Sequence, residues 1–318
     1  MIVYTDLHNR SKIYNIPKKF KKILRDMGID IVTKYNEKAE VYWGDLFTIQ
    51  DLNNLPNLKW IHFPCVGVNR ALIPEVKDKN ILVTNSKGIF KEPVSTSIIS
   101  YICYFSRGLH MVNFLRNNKL LTRLEFDSYS NTIKNPMESS CLIVGYGDIG
   151  TRVGELCNSL GMEVNIIKSN LDMDFPSYVK NKYTLKNLKE AVRINDFIIN
   201  LLPLTKFTHN IFDKDIFSLM KSNSCFINVG RGKSVNEKDL IDVLNSNPSM
   251  TAALDVFDKE PLPLNSPLWE MENVLITPHI ANLTQNYWDT QIELFIFNMG
   301  NYSNNVPLKN VIDLNKEY

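Results

Sequence analysis

The sequence predicts an α/β protein built from two Rossmann-like, doubly wound parallel-sheet domains, the second inserted into the first. Three observations carry this. Short apolar runs alternate with helical stretches along the chain, the pattern of parallel strands joined by crossover helices. Near the middle, Gly145, Gly147 and Gly150 follow an apolar run and precede a helical repeat. The length of 318 residues exceeds what one small core serves, so two domains are expected.

Taken in order, residues 1–7 read as a strand and 17–27 as a helix, with Pro17 at its start and Gly28 at its end. Strands are expected at 29–33, 41–44, 58–64 and 81–85, with a helix or turn between the second and third. Cys65-Val66-Gly67-Val68-Asn69 then forms a glycine turn at the C-terminal edge of a strand, where ligands of such sheets bind. A plain connecting loop is the alternative reading of those five residues. Glu92-Pro93 opens a long apolar helix running to about Asn117, and residues 119–135 lose periodicity, as an arm toward a second subunit would.

From Cys141 a second unit begins, with strands expected at 164–167, 197–202, 225–229, 252–256 and 274–276 and helices at 185–193, 214–220 and 237–244. A last helix near 283–299 carries the chain back, so that 306–314 closes the first domain. The division is therefore 1–92 with 283–318, a flavodoxin-like substrate domain, and 93–282, a dinucleotide-binding domain.

The glycine loop has a specific chemical use. Residues 141–144 are a strand, and Val153, Leu156, Cys157 and Leu160 repeat at helical spacing up to Gly161. In GxGxxG the first glycine allows the turn, the second admits a pyrophosphate close to backbone N–H groups, and the third lets helix pack on strand. Asp148, Ile149 and Gly150 open that helix, whose positive end favours an anion.

Composition narrows the partners. A net charge of +2, from 36 basic and 34 acidic side chains, gives no general attraction to nucleic acid or membrane. The cluster Lys18, Lys19, Lys21 and Lys22 reads as a solvated helix face, with an anion-binding patch as the lesser alternative. Five cysteines without a CxxC pair read as reduced core thiols of a cytoplasmic protein and not as a metal site. Neither a signal peptide nor a membrane span is expected.

The strand ends of the second unit hold the chemistry. The strand at 225–229 ends in Val229-Gly230-Arg231-Gly232, the strand at 252–256 leads to Asp258-Lys259-Glu260-Pro261, and the strand at 274–276 leads to Thr277-Pro278-His279. All three ends face the crevice of the glycine loop. Arginine can hold a carboxylate through two parallel hydrogen bonds and stabilise charge on a carbonyl oxygen. Histidine can give that oxygen a proton or remove it, and a neighbouring carboxylate fixes the ring. Singly, Arg231 reads as a surface arginine, Glu260 as a loop carboxylate and His279 as a structural histidine. Together they suit hydride transfer at an oxo acid.

The segments LLPLTKFTHNIF, INVGRG, ALDVFDKEPLP, SPLW and NVLITPHI resemble the D-isomer-specific 2-hydroxyacid dehydrogenases, among them the glyoxylate and hydroxypyruvate reductases. The resemblance covers nearly the whole chain. It implies that Arg231, Glu260 and His279 are catalytic, that Asp255 meets the nicotinamide end, and that Leu202, Pro203, Thr208 and Val229 line the cofactor. It implies further that backbone N–H groups at Val66 and Gly67 hold the substrate carboxylate, and that the protein is a homodimer.

Two departures stand out. NAD-preferring members carry an acid after the second strand of this domain, where this chain has Lys168-Ser169-Asn170, so NADP is favoured over NAD. Val94-Ser95-Thr96 replaces the family's Val-Ala-Glu, which marks a subgroup. The sequence thus predicts a reductase of a small 2-oxo acid, glyoxylate or hydroxypyruvate by similarity. The alternatives are an NAD(H)-sensing binding protein on the same fold, a methyltransferase with a similar glycine loop, and an oxidoreductase acting on a larger acid.

Overall fold

The computed structural model describes residues 1–9 and 14–314. The end of the predicted 283–318 segment therefore lies outside the described residues. Two compact units are present, Met1–Ile89 with Thr284–Tyr318, and Phe90–Leu283.

The first unit runs β1 (Ile2–Tyr4), α1 (Lys18–Asp26), β2 (Asp30–Val32), β3 (Val41–Trp43), α2 (Ile49–Asn54), β4 (Trp60–His62), α3 (Pro74–Asp78) and β5 (Leu82–Thr84). Every pairing is parallel and the order is β2-β1-β3-β4-β5, the flavodoxin-like winding. Strands β3 and β4 are buried throughout, because helices cover both faces of a parallel sheet. Tyr42 of β3 and Ile61 of β4 join Phe47, Phe63 and Val83 in one apolar cluster. Pro17 caps α1 and Gly28 leaves it at φ 77°, the proline-first, glycine-last asymmetry that the sequence displays.

The second unit begins with α4 (Lys91–Ser106), α5 (Leu109–Asn117) and α6 (Arg123–Asp127). The single helix predicted to reach Asn117 is two helices. Gly108 sits between them at φ 67°, a left-handed conformation that ends a right-handed helix. The stretch 119–135, predicted irregular, contains α6, capped where the Thr122 side chain accepts from the Glu125 N–H at 3.2 Å.

The sheet follows as β6 (Ser140–Val144), α7 (Asp148–Ser159), β7 (Glu163–Ile167), β8 (Val179–Tyr183), α8 (Leu188–Ile194), β9 (Phe197–Asn200), α9 (Lys214–Leu219), β10 (Cys225–Asn228), α10 (Glu237–Ser246), β11 (Thr251–Leu254) and β12 (Val274–Ile276). Its order, β8-β7-β6-β9-β10-β11-β12, is all parallel. Winding reverses between β6 and β9, and ligands of such sheets bind at that reversal, beyond the strand C-termini. Strand β8 is absent from the sequence reading. Its VKNKY alternates exposed lysines with buried or half-buried positions, as an edge strand does, and carries too little apolar signal to declare itself.

The chain returns to the first unit through α11 (Tyr287–Ser303), which starts at Tyr287 and not at Leu283 as the periodicity suggests. The segment after it pairs with β5 through an isolated antiparallel bridge, Thr84 with Val311. No helix among the described residues is long and apolar enough to cross a membrane.

Candidate active site

The glycine loop occupies the reversal of the second sheet. Gly145 has φ 107°, and a Cβ there would stand 3.0 Å from the Leu201 carbonyl carbon, so a bare backbone is what lets the turn pass the end of β9. At Gly150 a Cβ would meet the Gly145 carbonyl oxygen at 2.5 Å, which sets how closely α7 approaches the turn. Gly147 differs: a Cβ there would find nothing within 4 Å. The unit's own packing does not require that glycine, whereas a pyrophosphate lying against the backbone does. The loop therefore fits a dinucleotide, with the first N–H groups of α7, from Asp148 and Ile149 onward, free of intrahelical partners.

Lys168 follows β7, and its Nζ donates to the Tyr146 carbonyl at 2.7 Å. Its ammonium thus lies against the glycine loop, with Ser169 exposed beside it. Leu202 is buried, and its N–H donates to Asn200 Oδ1 at 3.1 Å. The buried Thr208 hydroxyl donates to the Pro203 carbonyl at 2.6 Å and accepts from the Thr205 N–H at 2.8 Å, closing the loop after β9 on itself.

Arg231 follows β10. Its backbone carbonyl accepts from Ser234 Oγ at 2.6 Å, and its Nη1 donates to the Gly230 carbonyl at 2.7 Å. Beneath it Asn200 Nδ2 donates to Asn228 Oδ1 at 3.0 Å and to Ser234 Oγ at 2.7 Å. Val229, half-buried, donates its N–H to the Asn200 carbonyl at 3.2 Å. Sequence reasoning missed this asparagine network. Its signal was present: adjacent buried strands each end in Asn, a costly residue to bury unless hydrogen-bonded.

Glu260 and His279 meet directly. His279 Nδ1 lies 2.8 Å from Glu260 Oε2, and Glu260 Oε1 accepts the Phe257 N–H at 3.1 Å. Burial pushes the Glu260 carboxyl up, but the His279 hydrogen bond and charge, the Phe257 N–H and the Arg231 charge outweigh it and hold it below the usual range. Glu260 and His279 are in direct contact, while the Arg231 guanidinium bonds to its own loop at Gly230. A carboxylate only accepts, so Nδ1 carries the proton between His279 and Glu260, and Nε2 is the ring nitrogen not committed to Glu260.

Asp255, 1 % exposed, accepts three bonds from the turn bearing His279: Thr277 Oγ1 at 2.6 Å, the Ile280 N–H at 2.9 Å and the Ala281 N–H at 3.1 Å. Val66 and Gly67 belong to the first unit, where the Val66 carbonyl accepts from Asn85 Nδ2 at 2.8 Å. Among the described residues no cluster of histidine, cysteine and carboxylate side chains could hold a metal ion, and the five cysteines are free thiols.

A family model described as "D-isomer specific 2-hydroxyacid dehydrogenase, NAD binding domain" matches residues 105–281. The chain belongs to the D-isomer-specific 2-hydroxyacid dehydrogenases. Among its relatives, glyoxylate/hydroxypyruvate reductase B of Escherichia fergusonii is 28% identical over 251 residues, 77% of this chain and 76% of that one. A D-isomer-specific 2-hydroxyacid dehydrogenase of Xanthobacter autotrophicus, solved with NADPH and MES, superimposes with TM-score 0.82 at 22% identity, covering 100% of this chain and 99% of that one. An NADPH-dependent glyoxylate/hydroxypyruvate reductase of Sinorhizobium meliloti, solved with NADP and sulfate, gives TM-score 0.83 at 21% identity, covering 100% and 99%. This dehydrogenase is therefore an NAD(P)-dependent enzyme of 2-hydroxy acids, and the glycine loop lies in its NAD-binding domain.

Proposed function

We propose that the enzyme reduces C2 of a small 2-oxo acid of the glyoxylate or hydroxypyruvate kind, in the cytoplasm and as a homodimer, with NADPH preferred over NADH. The observation that carries this is the 2.8 Å contact between His279 and Glu260 on strand ends neighbouring Arg231. When bound at the glycine loop, the nicotinamide coenzyme would supply the hydride. Arg231 holds the acid's carboxylate and stabilises charge growing on the carbonyl oxygen. His279 gives that oxygen its proton from Nε2, while Glu260 keeps the ring oriented and balances its charge. Val66 and Gly67 are assigned the substrate carboxylate and Asp255 the nicotinamide end, both by family likeness.

NADPH is favoured because Lys168 offers an ammonium beside the glycine loop where an acid would otherwise accept from the ribose. The ammonium has three donors, so its bond to Tyr146 leaves two for a phosphate. The NADP-bearing and NADPH-bearing structural relatives are in keeping with this. A homodimer is supported by the bare apolar side chains of the 119–137 stretch: Leu120, Leu121, Leu124 and Met137 are 47% to 79% exposed.

The test is oxidation of NADPH and of NADH with a panel of 2-oxo acids, including glyoxylate, hydroxypyruvate and larger acids. Turnover of the small acids, fastest with NADPH and abolished by His279→Ala without loss of cofactor affinity, is the expected result. Cofactor binding without turnover of any acid would show a binding protein instead.

A further inference from the structure

His279 stands at φ 55°, a left-handed conformation that a residue with a side chain keeps only when its surroundings hold it. Two sets of bonds do so. Asp255 takes the hydroxyl of Thr277 and the N–H groups of Ile280 and Ala281. Helix α4 adds two hydroxyls: Tyr101 Oη lies 3.1 Å from Thr277 Oγ1, and Ser97 Oγ donates to the Ala281 carbonyl at 3.1 Å.

Chemistry fixes the direction of the first set. Thr277 has one hydroxyl proton and gives it to Asp255, so its oxygen keeps only lone pairs toward Tyr101. Tyr101 is then the donor, and a one-way chain runs from Tyr101 through Thr277 to Asp255. Both ends are buried, Tyr101 at 8% and Asp255 at 1% exposure, where such bonds polarise one another. Packing alone does not ask for a phenol here. The other large buried side chains of α4 are Val94, Ile98, Ile102 and Phe105, and phenylalanine would fill the same space.

We propose that Tyr101 is a positioning residue for the acid–base histidine: through Thr277 and Asp255 its hydroxyl sets the turn that aims His279 Nε2 at the reacting oxygen. This rests on the reading of His279 as proton donor. Arg231 stands on a different strand end, so the chain governs proton transfer and not the hold on the acid.

The test compares the full-length wild type with Tyr101→Phe, Thr277→Val, Thr277→Ser and His279→Ala. A displacement of a fraction of an ångström at a proton donor slows chemistry by about 10-fold. Tyr101→Phe and Thr277→Val are expected to lose that much kcat while KM for the oxo acid and the dissociation constant for NADPH stay within about 2-fold. The solvent deuterium isotope effect on kcat should rise in both, because proton transfer becomes the slower step. Thr277→Ser, which keeps the hydroxyl, should restore kcat and isotope effect together.

Wild-type kcat in Tyr101→Phe overturns the proposal. So does a fall in kcat with an unchanged isotope effect, which is what a smaller folded fraction would give. If the wild type turns over no acid, the enzymatic reading fails by itself, and the His279 Nδ1 proton decides the positioning claim by NMR. Faster solvent exchange of that proton in Tyr101→Phe upholds the claim, and an unchanged rate ends it.

Discussion

His279 Nδ1 and Glu260 Oε2 lie 2.8 Å apart, although 19 residues separate them and they sit on the ends of neighbouring strands. The contact leaves Nε2 as the nitrogen that the proposed proton transfer uses. Glu260→Gln retains the shape and removes the charge, and general acid–base catalysis is worth about 10²- to 10⁴-fold. A kcat loss of at least about 10-fold is expected, with NADPH affinity unchanged. A variant as fast as wild type would remove Glu260 from the mechanism.

The same contact sets a pH dependence. Because the Glu260 carboxyl is held below its ordinary range, it is ionised above a pKa lower than about 4.3, and its support is lost only as pH falls through that lower value. No limb of the wild-type kcat profile between pH 5 and 8 should therefore belong to Glu260. Glu260→Gln should lower the profile throughout that range. An acidic limb above pH 5 that is present in wild type and abolished in Glu260→Gln would contradict this.

Gly145 and Gly147 make a matched pair of tests. Gly145→Ala puts a side chain at φ 107° and 3.0 Å from Leu201, and such strain costs about 1–3 kcal/mol of stability. Gly147→Ala enters open space and should leave the melting temperature unchanged. It should still weaken NADPH binding, because a methyl group against the pyrophosphate costs about 1–3 kcal/mol, or roughly 5- to 150-fold in Kd. Thermal melts and fluorescence titrations of NADPH measure both. Unaltered affinity in Gly147→Ala would move the pyrophosphate elsewhere.

Much of this was legible in sequence, for a physical reason. Strands β6 and β9 to β12 are short apolar runs, and the residues that follow them must face the crevice of a parallel sheet. That rule puts Arg231, Glu260 and His279 after neighbouring strands, and Glu260 and His279 do meet. Gly108 could not be read as a helix break, since an isolated glycine in an apolar helix looks tolerable until its φ is known. Nor could Tyr101, whose hydroxyl is hidden in an apolar period, or the turn-holding bonds of Asp255, which depend on tertiary contact. Patterns announce which face is buried, not which polar atoms meet there.

Lys168 gives a test of cofactor choice. Its ammonium already lies on the Tyr146 carbonyl, and a charged hydrogen bond is worth about 1.5–3 kcal/mol. Lys168→Asp should lower kcat/KM for NADPH by about 10- to 150-fold and raise the preference for NADH, because a carboxylate can accept from the ribose hydroxyls. The ratio of kcat/KM for the two coenzymes measures it. A ratio that does not move would put the 2′-phosphate out of reach of this side chain.

His62, in the first unit, tests the core independently of chemistry. It is fully buried beside Trp43, Trp60 and Phe295, and its Nδ1 lies 2.8 Å from Thr84 Oγ1, which also accepts from Trp60 Nε1. Its Nε2 has no hydrogen-bond partner among the described residues. Burial pushes its pKa down to about 3, so the folded protein refuses a proton that the unfolded chain accepts below about 6.5. Stability must then fall as the solution is acidified from pH 6.5 toward pH 3, by about 2 kcal/mol between pH 7 and pH 5 from this group alone. His62→Leu removes the titration and nearly conserves volume. The stability difference between wild type and His62→Leu, from urea unfolding followed by tryptophan fluorescence, should shift by that amount in favour of the variant between pH 7 and pH 5. A difference independent of pH would mean that His62 is protonated in the folded core or reached by water.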